Sequence, residues 1–133
     1  MKKILLAYDG GEPARRALET AGELARAFHA LLSVVSVVPE GAGRPVGDPR
    51  EDASAHAREL QEAKRLLADM GLEVELLEPS GDPARRIEQI AEQGGFDTIV
   101  LGSGGRGSID RALLGSVSRH VLAHAMATVV VAH

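Results

Sequence analysis

Short apolar runs alternate with stretches of helical periodicity along the whole chain, and that alternation limits the fold more than any other feature. The first run is Ile4-Leu5-Leu6-Ala7-Tyr8, continuous enough to predict a central strand. It ends at Asp9-Gly10-Gly11, and Pro13 then suits the first turn of a helix. Ala14, Ala17, Leu18, Ala21, Leu24, Ala25 and Phe28 recur at helical spacing on one face. A second β-branched run covers 31–38 and stops at Pro39. Residues 40–49 are rich in Gly and Pro and read as a loop within one domain, since too little chain lies on either side for a linker. A charged helix is predicted over 50–70, closed by Gly71.

The second half repeats the scheme. Leu72-Glu73-Val74-Glu75-Leu76 alternates apolar and acidic, as a strand at a sheet edge does. Asp82 and Pro83 form an N-cap and first position for a third helix, with Ile87, Ile90 and Ala91 on its apolar face and Gly94-Gly95 at its end. Thr98-Ile99-Val100-Leu101 is a fourth strand, 117–125 a fourth helix, and Thr128-Val129-Val130-Val131 a final strand. Five strands alternating with four helices imply a single-domain α/β protein over residues 1–133, with an open parallel sheet, helices on both faces and a Rossmann-like layout. Ligands of such sheets sit beyond the carboxyl ends of the strands, where the strand order reverses. The first and fourth strands are the expected neighbours there, so Asp9 and Gly102 should converge on one crevice.

Residues 102–118, GSGGRGSIDRALLGSVS, occupy the turn between the fourth strand and the fourth helix. A glycine-dense loop in that place suits phosphate groups, because backbone N–H groups and the positive end of a helix dipole point outward there. Glycine also lets the backbone come close to an anion. Gly102 and Gly105 are separated by two residues, and nine more precede Gly115-Ser116. Ser116 and Ser118 can give hydroxyls to phosphate oxygens, and Ser116 is also a natural N-cap. Arg106 inside the loop can reach phosphate as a bidentate donor. The plain alternative is a connector followed by a capped helix.

The pattern G-x2-G-x9-G-S, with Val117-Ser118 after it, resembles the nucleotide-binding signature of the universal stress protein family in its ATP-binding branch. That family has the same order of elements, and the likeness runs from Lys3 to Val131. The resemblance implies an adenine nucleotide α-hydrolase-like fold that binds ATP, with Mg²⁺ or Mn²⁺ held through the phosphates. Spacing alone leaves Asp9 equally a base or ribose contact and a turn residue. In proteins of this kind the matching aspartate contacts adenine, Ala7 matches a residue lining the base site, and Val37 matches a valine beside the ring. Gly102, Gly105, Arg106, Gly115, Ser116, Val117 and Ser118 would then surround ribose and phosphates. The family also pairs its last strands across a two-fold axis. Together with an apolar run at a sheet edge, this implies a homodimer through residues 127–132. Two positions depart from the common pattern: Gly104 stands where many relatives have His, and Ala127 where many have Pro before the last strand.

Other motifs fail on context. Gly102, Gly104 and Gly107 spell G-x-G-x-x-G, but after the fourth strand and with no carboxylate on the next one, so the dinucleotide reading is rejected. No G-x4-G-K-[ST] occurs. Ser103-Gly104-Gly105 resembles the SGG loop of ATP pyrophosphatases, which follows the first strand, where this chain has Asp9-Gly10-Gly11. No G-x-S-x-G marks a nucleophile. Asp110-Arg111 reads as a solvated pair and His29 as a contact at a helix C-terminus. His120 and His124 can share a helix face, but H-V-L-A-H lacks the glutamate of H-E-x-x-H and the sequence offers no third ligand, so they read as a surface pair.

Composition removes further classes. A net charge of −4 and only Tyr8, Phe28 and Phe96 as aromatics argue against a general nucleic-acid binder, which uses basic patches and stacking platforms. The absence of cysteine excludes disulfides and thiolate sites. No apolar run reaches membrane-spanning length and the N-terminus has no leader-like run, so a soluble, cytoplasmic protein is expected. No general base stands out to activate water. The expected function is therefore that of a nucleotide-dependent regulator or sensor in stress response, not an efficient enzyme, with slow hydrolysis at most. The rival expectations are a dimeric interaction module that binds no nucleotide and a small nucleotide hydrolase.

Overall fold

The apolar runs do become strands, and their burial explains why. In the computed structural model, which describes residues 1–38, 49–104 and 115–133, the elements alternate without exception. They are β1 (Lys3–Ala7), α1 (Glu12–Phe28), β2 (Leu31–Val35), α2 (Pro49–Asp69), β3 (Val74–Leu77), α3 (Pro83–Gln93), β4 (Thr98–Gly102), α4 (Ser116–His124) and β5 (Thr128–Ala132). All strand pairs are parallel, and the order across the sheet is β3-β2-β1-β4-β5. The sequence therefore doubles back beside β1: its two sheet neighbours are β2 and β4.

Period-two alternation divides the core into two layers. Ile4, Leu6 and Tyr8 pack with Ala14, Ala17, Leu18 and Ala21 of α1 and with Leu60, Ala63 and Leu67 of α2. Leu5 faces the other way, joining Val35, Ile99 and Leu101 against Ala84, Ile87 and Ala91 of α3 and Val121 of α4. Ile4, Leu5 and Leu6 are wholly buried. Each contributes about 1.5–3 kcal/mol relative to an exposed side chain. A continuous apolar run suits β1 because both of its faces are covered. Phe28, placed by its spacing on the apolar face of α1, is instead 53% exposed, because it lies in the last turn beyond the edge of the layer.

Several local signals operate as expected. Asp82 caps α3, its side chain accepting from the Arg85 N–H at 3.2 Å, with Pro83 directly after it. His29 closes α1 with its own backbone in the left-handed region at φ 52°, its N–H returning to the last turn. The regular pairing of β2 is shorter than the apolar run, but the chain keeps its hydrogen bonds beyond it. Ser36 N–H donates to Leu77 at 3.0 Å, Val38 N–H to Pro79 at 2.8 Å, and Val38 forms an isolated parallel bridge with Ser80. The helix expected over 117–125 begins earlier, at Ser116, and its N-cap is Gly115, not Ser116. The Gly115 backbone is extended there, at φ −67° and ψ 166°, so the Ser116 hydroxyl lies already inside the helix and does not cap it.

Candidate functional site

At the carboxyl ends of β1, β2 and β4 lies a cavity of about 260 Å³, near the lower end of the ~300–1,000 Å³ usual for small-molecule sites. It sits where the strand order reverses, the place that open parallel sheets leave for a ligand. Three chain segments build its walls. The end of β1 contributes Ala7, Tyr8 and Asp9; the end of β2 contributes Val35, Ser36 and Val37; and Gly102, Gly104 and Gly115 to Ser118 form the side between β4 and α4. Ala14, Pro83, Ile87 and Leu101 supply apolar surface.

Most of the residues singled out from the sequence can now be placed. Ala7, Asp9, Val37, Gly102, Gly115, Ser116, Val117 and Ser118 all line this one cavity. Gly105 and Arg106 lie outside the described residues, as do Asp110 and Arg111. Asp9 does serve the turn, since its Oδ1 accepts the Gly11 N–H at 2.9 Å, and Gly10 follows with φ 80°. That bond engages one carboxylate oxygen and holds the group at the cavity edge.

The far wall is held by backbone. Gly115 N–H donates to the Ser103 carbonyl at 2.6 Å, and Ser103 N–H donates to the Ala132 carbonyl at 2.7 Å. The Ser118 hydroxyl, 2% exposed, lies 3.1 Å from both the Ser103 and the Gly115 carbonyls. Its proton is thus directed to protein carbonyls, and Ser118 acts first as a clasp between the loop ends. By contrast the first turn of α4 leaves its N–H groups without helical acceptors, and Ser116, Val117 and Ser118 present that turn to the cavity.

Gly102 has a packing reason for being glycine that the sequence does not show. A Cβ built on it would lie 2.8 Å from the backbone carbon of Pro13 and 3.0 Å from the Ala14 nitrogen. The bare backbone at the end of β4 lets the first turn of α1 close over the sheet.

Three lining residues carry no motif signal: Tyr8, Ser36 and His56. The Ser36 Oγ and His56 Nδ1 are 2.5 Å apart, and Glu59 Oε2 lies 3.7 Å from the same nitrogen. His56 was legible in principle, because 56, 60, 63 and 67 form one helical stripe whose other members are the buried Leu60, Ala63 and Leu67. Tyr8 is 2% exposed, and its hydroxyl faces Glu62 Oε1 at 3.4 Å, an oxygen that also takes Arg15 at 3.0 Å. Burial first, and the Glu62 carboxylate second, push the Tyr8 phenol above its ordinary range, so it remains a protonated donor. No helix among the described residues is long and apolar enough to cross a membrane.

The strand order and the crevice define a Rossmann-like α/β protein with a ligand-sized cavity at its switch point. A family model described as "Universal stress protein family" matches residues 1–133. A universal stress protein of Thermus aquaticus is 37% identical over 132 residues, covering 93% of each chain. Among solved structures, a universal stress protein from Archaeoglobus fulgidus superposes with a TM-score of 0.84 at 27% identity, covering 100% of this chain and 99% of that one. A structure of the universal stress protein from the same organism in complex with dAMP gives 0.79, also at 27% identity, over 100% and 98% of the two chains. The chain belongs to the universal stress protein family.

Proposed function

We propose that the protein binds an adenine nucleotide, ATP foremost, in the cavity at the β1–β4 switch point, as a member of the ATP-binding branch of its family. The observation that carries this reading is convergence: Ala7 and Asp9, Val37, and the start of α4 come from distant parts of the chain to line one cavity. The chemistry of the walls divides suitably. Ala7, Val35 and Val37 offer a flat apolar slot for a base, and the Asp9 carboxylate can accept from an exocyclic amine or a ribose hydroxyl. Across the cavity, the first-turn N–H groups at Ser116, Val117 and Ser118, together with the Ser116 hydroxyl, suit phosphate oxygens. Gly102 and Gly115 keep the backbone bare at that wall, and Gly105 and Arg106 complete the signature in the sequence between them. Mg²⁺ or Mn²⁺ bound through the phosphates would neutralise their charge. The dAMP complex of the Archaeoglobus fulgidus relative supports an adenine ligand for this fold.

In this reading the protein works as a cytoplasmic, nucleotide-dependent regulator of a stress response. His56 is the imidazole lining the cavity among the described residues, and its Nδ1 is engaged with Ser36. The walls therefore favour holding a nucleotide over cleaving it, and any hydrolysis is slow. The protein is also a homodimer in this reading, paired through residues 127–132. β5 is an outer strand without a charged side chain, beside an exposed Leu122 and a fully exposed Met126. Light scattering on the full chain should return twice the chain mass; a monomer at every concentration would remove the dimer. An interaction module without a nucleotide is the second reading, favoured by that same open edge.

Calorimetric titration of nucleotide-stripped protein decides between the two. Mg-ATP should bind saturably, with ADP and AMP progressively weaker as phosphates are removed. No heat from any of the three nucleotides would shift the reading to the interaction module.

A further inference from the structure

Away from the cavity, on the outer surface between α3 and α4, three side chains come together that the linear sequence keeps apart. Glu88 of α3 and His120 and His124 of α4 bring potential ligand atoms within 4.8 Å of one another. They sit at the rim of a packed seam, where Ile87 and Ala91 of α3 meet Val121 of α4. The seam holds the two helices together independently of the cluster.

The hydrogen bonds determine what each imidazole offers. His124 Nδ1 lies 2.8 Å from the His120 carbonyl, an oxygen that can only accept, so Nδ1 carries the proton and Nε2 the lone pair. His120 Nδ1 lies 2.8 Å from the Glu88 Oε1, and an ionised carboxylate likewise only accepts. In the neutral rings both lone pairs are therefore on Nε2. The two rings are stacked, with centroids 4.2 Å apart and planes 26° from parallel. Histidines whose second nitrogen is held by a carbonyl or a carboxylate are oriented as metal ligands usually are. His124 also lies in the last turn of α4, where the helix dipole favours a cation.

We infer that His120, His124 and Glu88 form a binding site for a divalent transition-metal ion of the zinc, nickel and copper class. The two Nε2 atoms bind the ion, and the Glu88 carboxylate orients His120 and balances charge. A tetrahedral ion with bonds of about 2.0–2.1 Å needs ligand atoms about 3.3 Å apart. The two rings are already stacked, and rotation of the exposed His124 adjusts the separation of the two Nε2 atoms. Imidazole selects these metals over Mg²⁺, which prefers oxygen. With two protein nitrogens bound, the remaining positions are left to water or to a further ligand. The sequence kept this hidden because the missing partner lies on another helix, 32 residues upstream of His120.

The test uses the full chain without a histidine tag, stripped with chelator and kept free of nucleotide, so that its result does not depend on the cavity. Titration with zinc sulfate should show saturable binding that excess Mg²⁺ does not displace, and zinc should raise the thermal midpoint. His124→Ala, a change at an exposed position, should fold normally and lose both effects. Glu88→Gln should weaken binding by about tenfold or more. His133→Ala should bind as the parent does. Absent zinc binding in the parent, or equal affinity in His124→Ala or Glu88→Gln, would overturn the assignment.

Discussion

Gly102 and Gly115 belong to one spacing pattern in the sequence, yet their surroundings in the fold differ. Gly102 sits at the end of β4, where a Cβ would press into the Pro13 backbone at 2.8 Å. Its side chain is missing so that α1 can pack. Gly115 is the N-cap of α4, in an extended conformation open to any residue, with no capping side chain. Its backbone faces the cavity and its N–H closes the loop on Ser103. A motif read from spacing alone gives both glycines one reason, whereas the structure shows a packing constraint at one and a cavity-facing backbone at the other.

The comparison can be broken experimentally. The largest effect is expected at Gly102. Gly102→Val should destabilise the fold by about 3 kcal/mol, because overpacking against backbone finds no flexible neighbour to yield. Urea denaturation measures this, and stability equal to the parent would show that α1 can shift freely. Gly115→Val should behave oppositely. A β-branched N-cap costs up to about 1 kcal/mol of stability. Nucleotide affinity should nonetheless fall by at least about tenfold, or 1.4 kcal/mol, if the cavity holds phosphate as proposed, because the side chain enters that wall. Unchanged ATP affinity by calorimetry would remove this wall from the site. The smallest effect belongs to the clasp between them. Ser118→Ala removes a hydroxyl shared by two carbonyls, which should cost about 1 kcal/mol in the same denaturation experiment. A larger loss of affinity than of stability would move Ser118 from clasp to ligand contact.

Much of the architecture was legible because burial speaks through alternation. The two-sided run of β1 and the acidic alternation of β3 announced a central strand and an edge, the last strand was expected at the other edge, and the sheet has them in those places. The Asp82–Pro83 start of α3 was equally plain, since capping is local chemistry. Local rules are weaker where two answers are nearly equal. Gly115 and Ser116 both make acceptable N-caps, and the hydrogen bond from Gly115 to Ser103 decides between them. Contacts between particular side chains across the fold were far less legible. Nothing in the loop reveals that Pro13 lies against Gly102, that His56 meets Ser36, or that Glu88 meets His120. In each case the sequence showed one half of a pair whose other half lies on a different element.

The bond between Ser103 and Gly115 has a consequence for how such a site can change. At 2.6 Å it fixes the end of β4 against the start of α4, whatever number of residues separates them in the sequence. Closing a loop depends only weakly on its length, each doubling costing about 0.6 kcal/mol. The number of residues between Ser103 and Gly115 is thus a weak constraint on the sheet. The strands, the helices and the clasp can stay as they are while that separation changes.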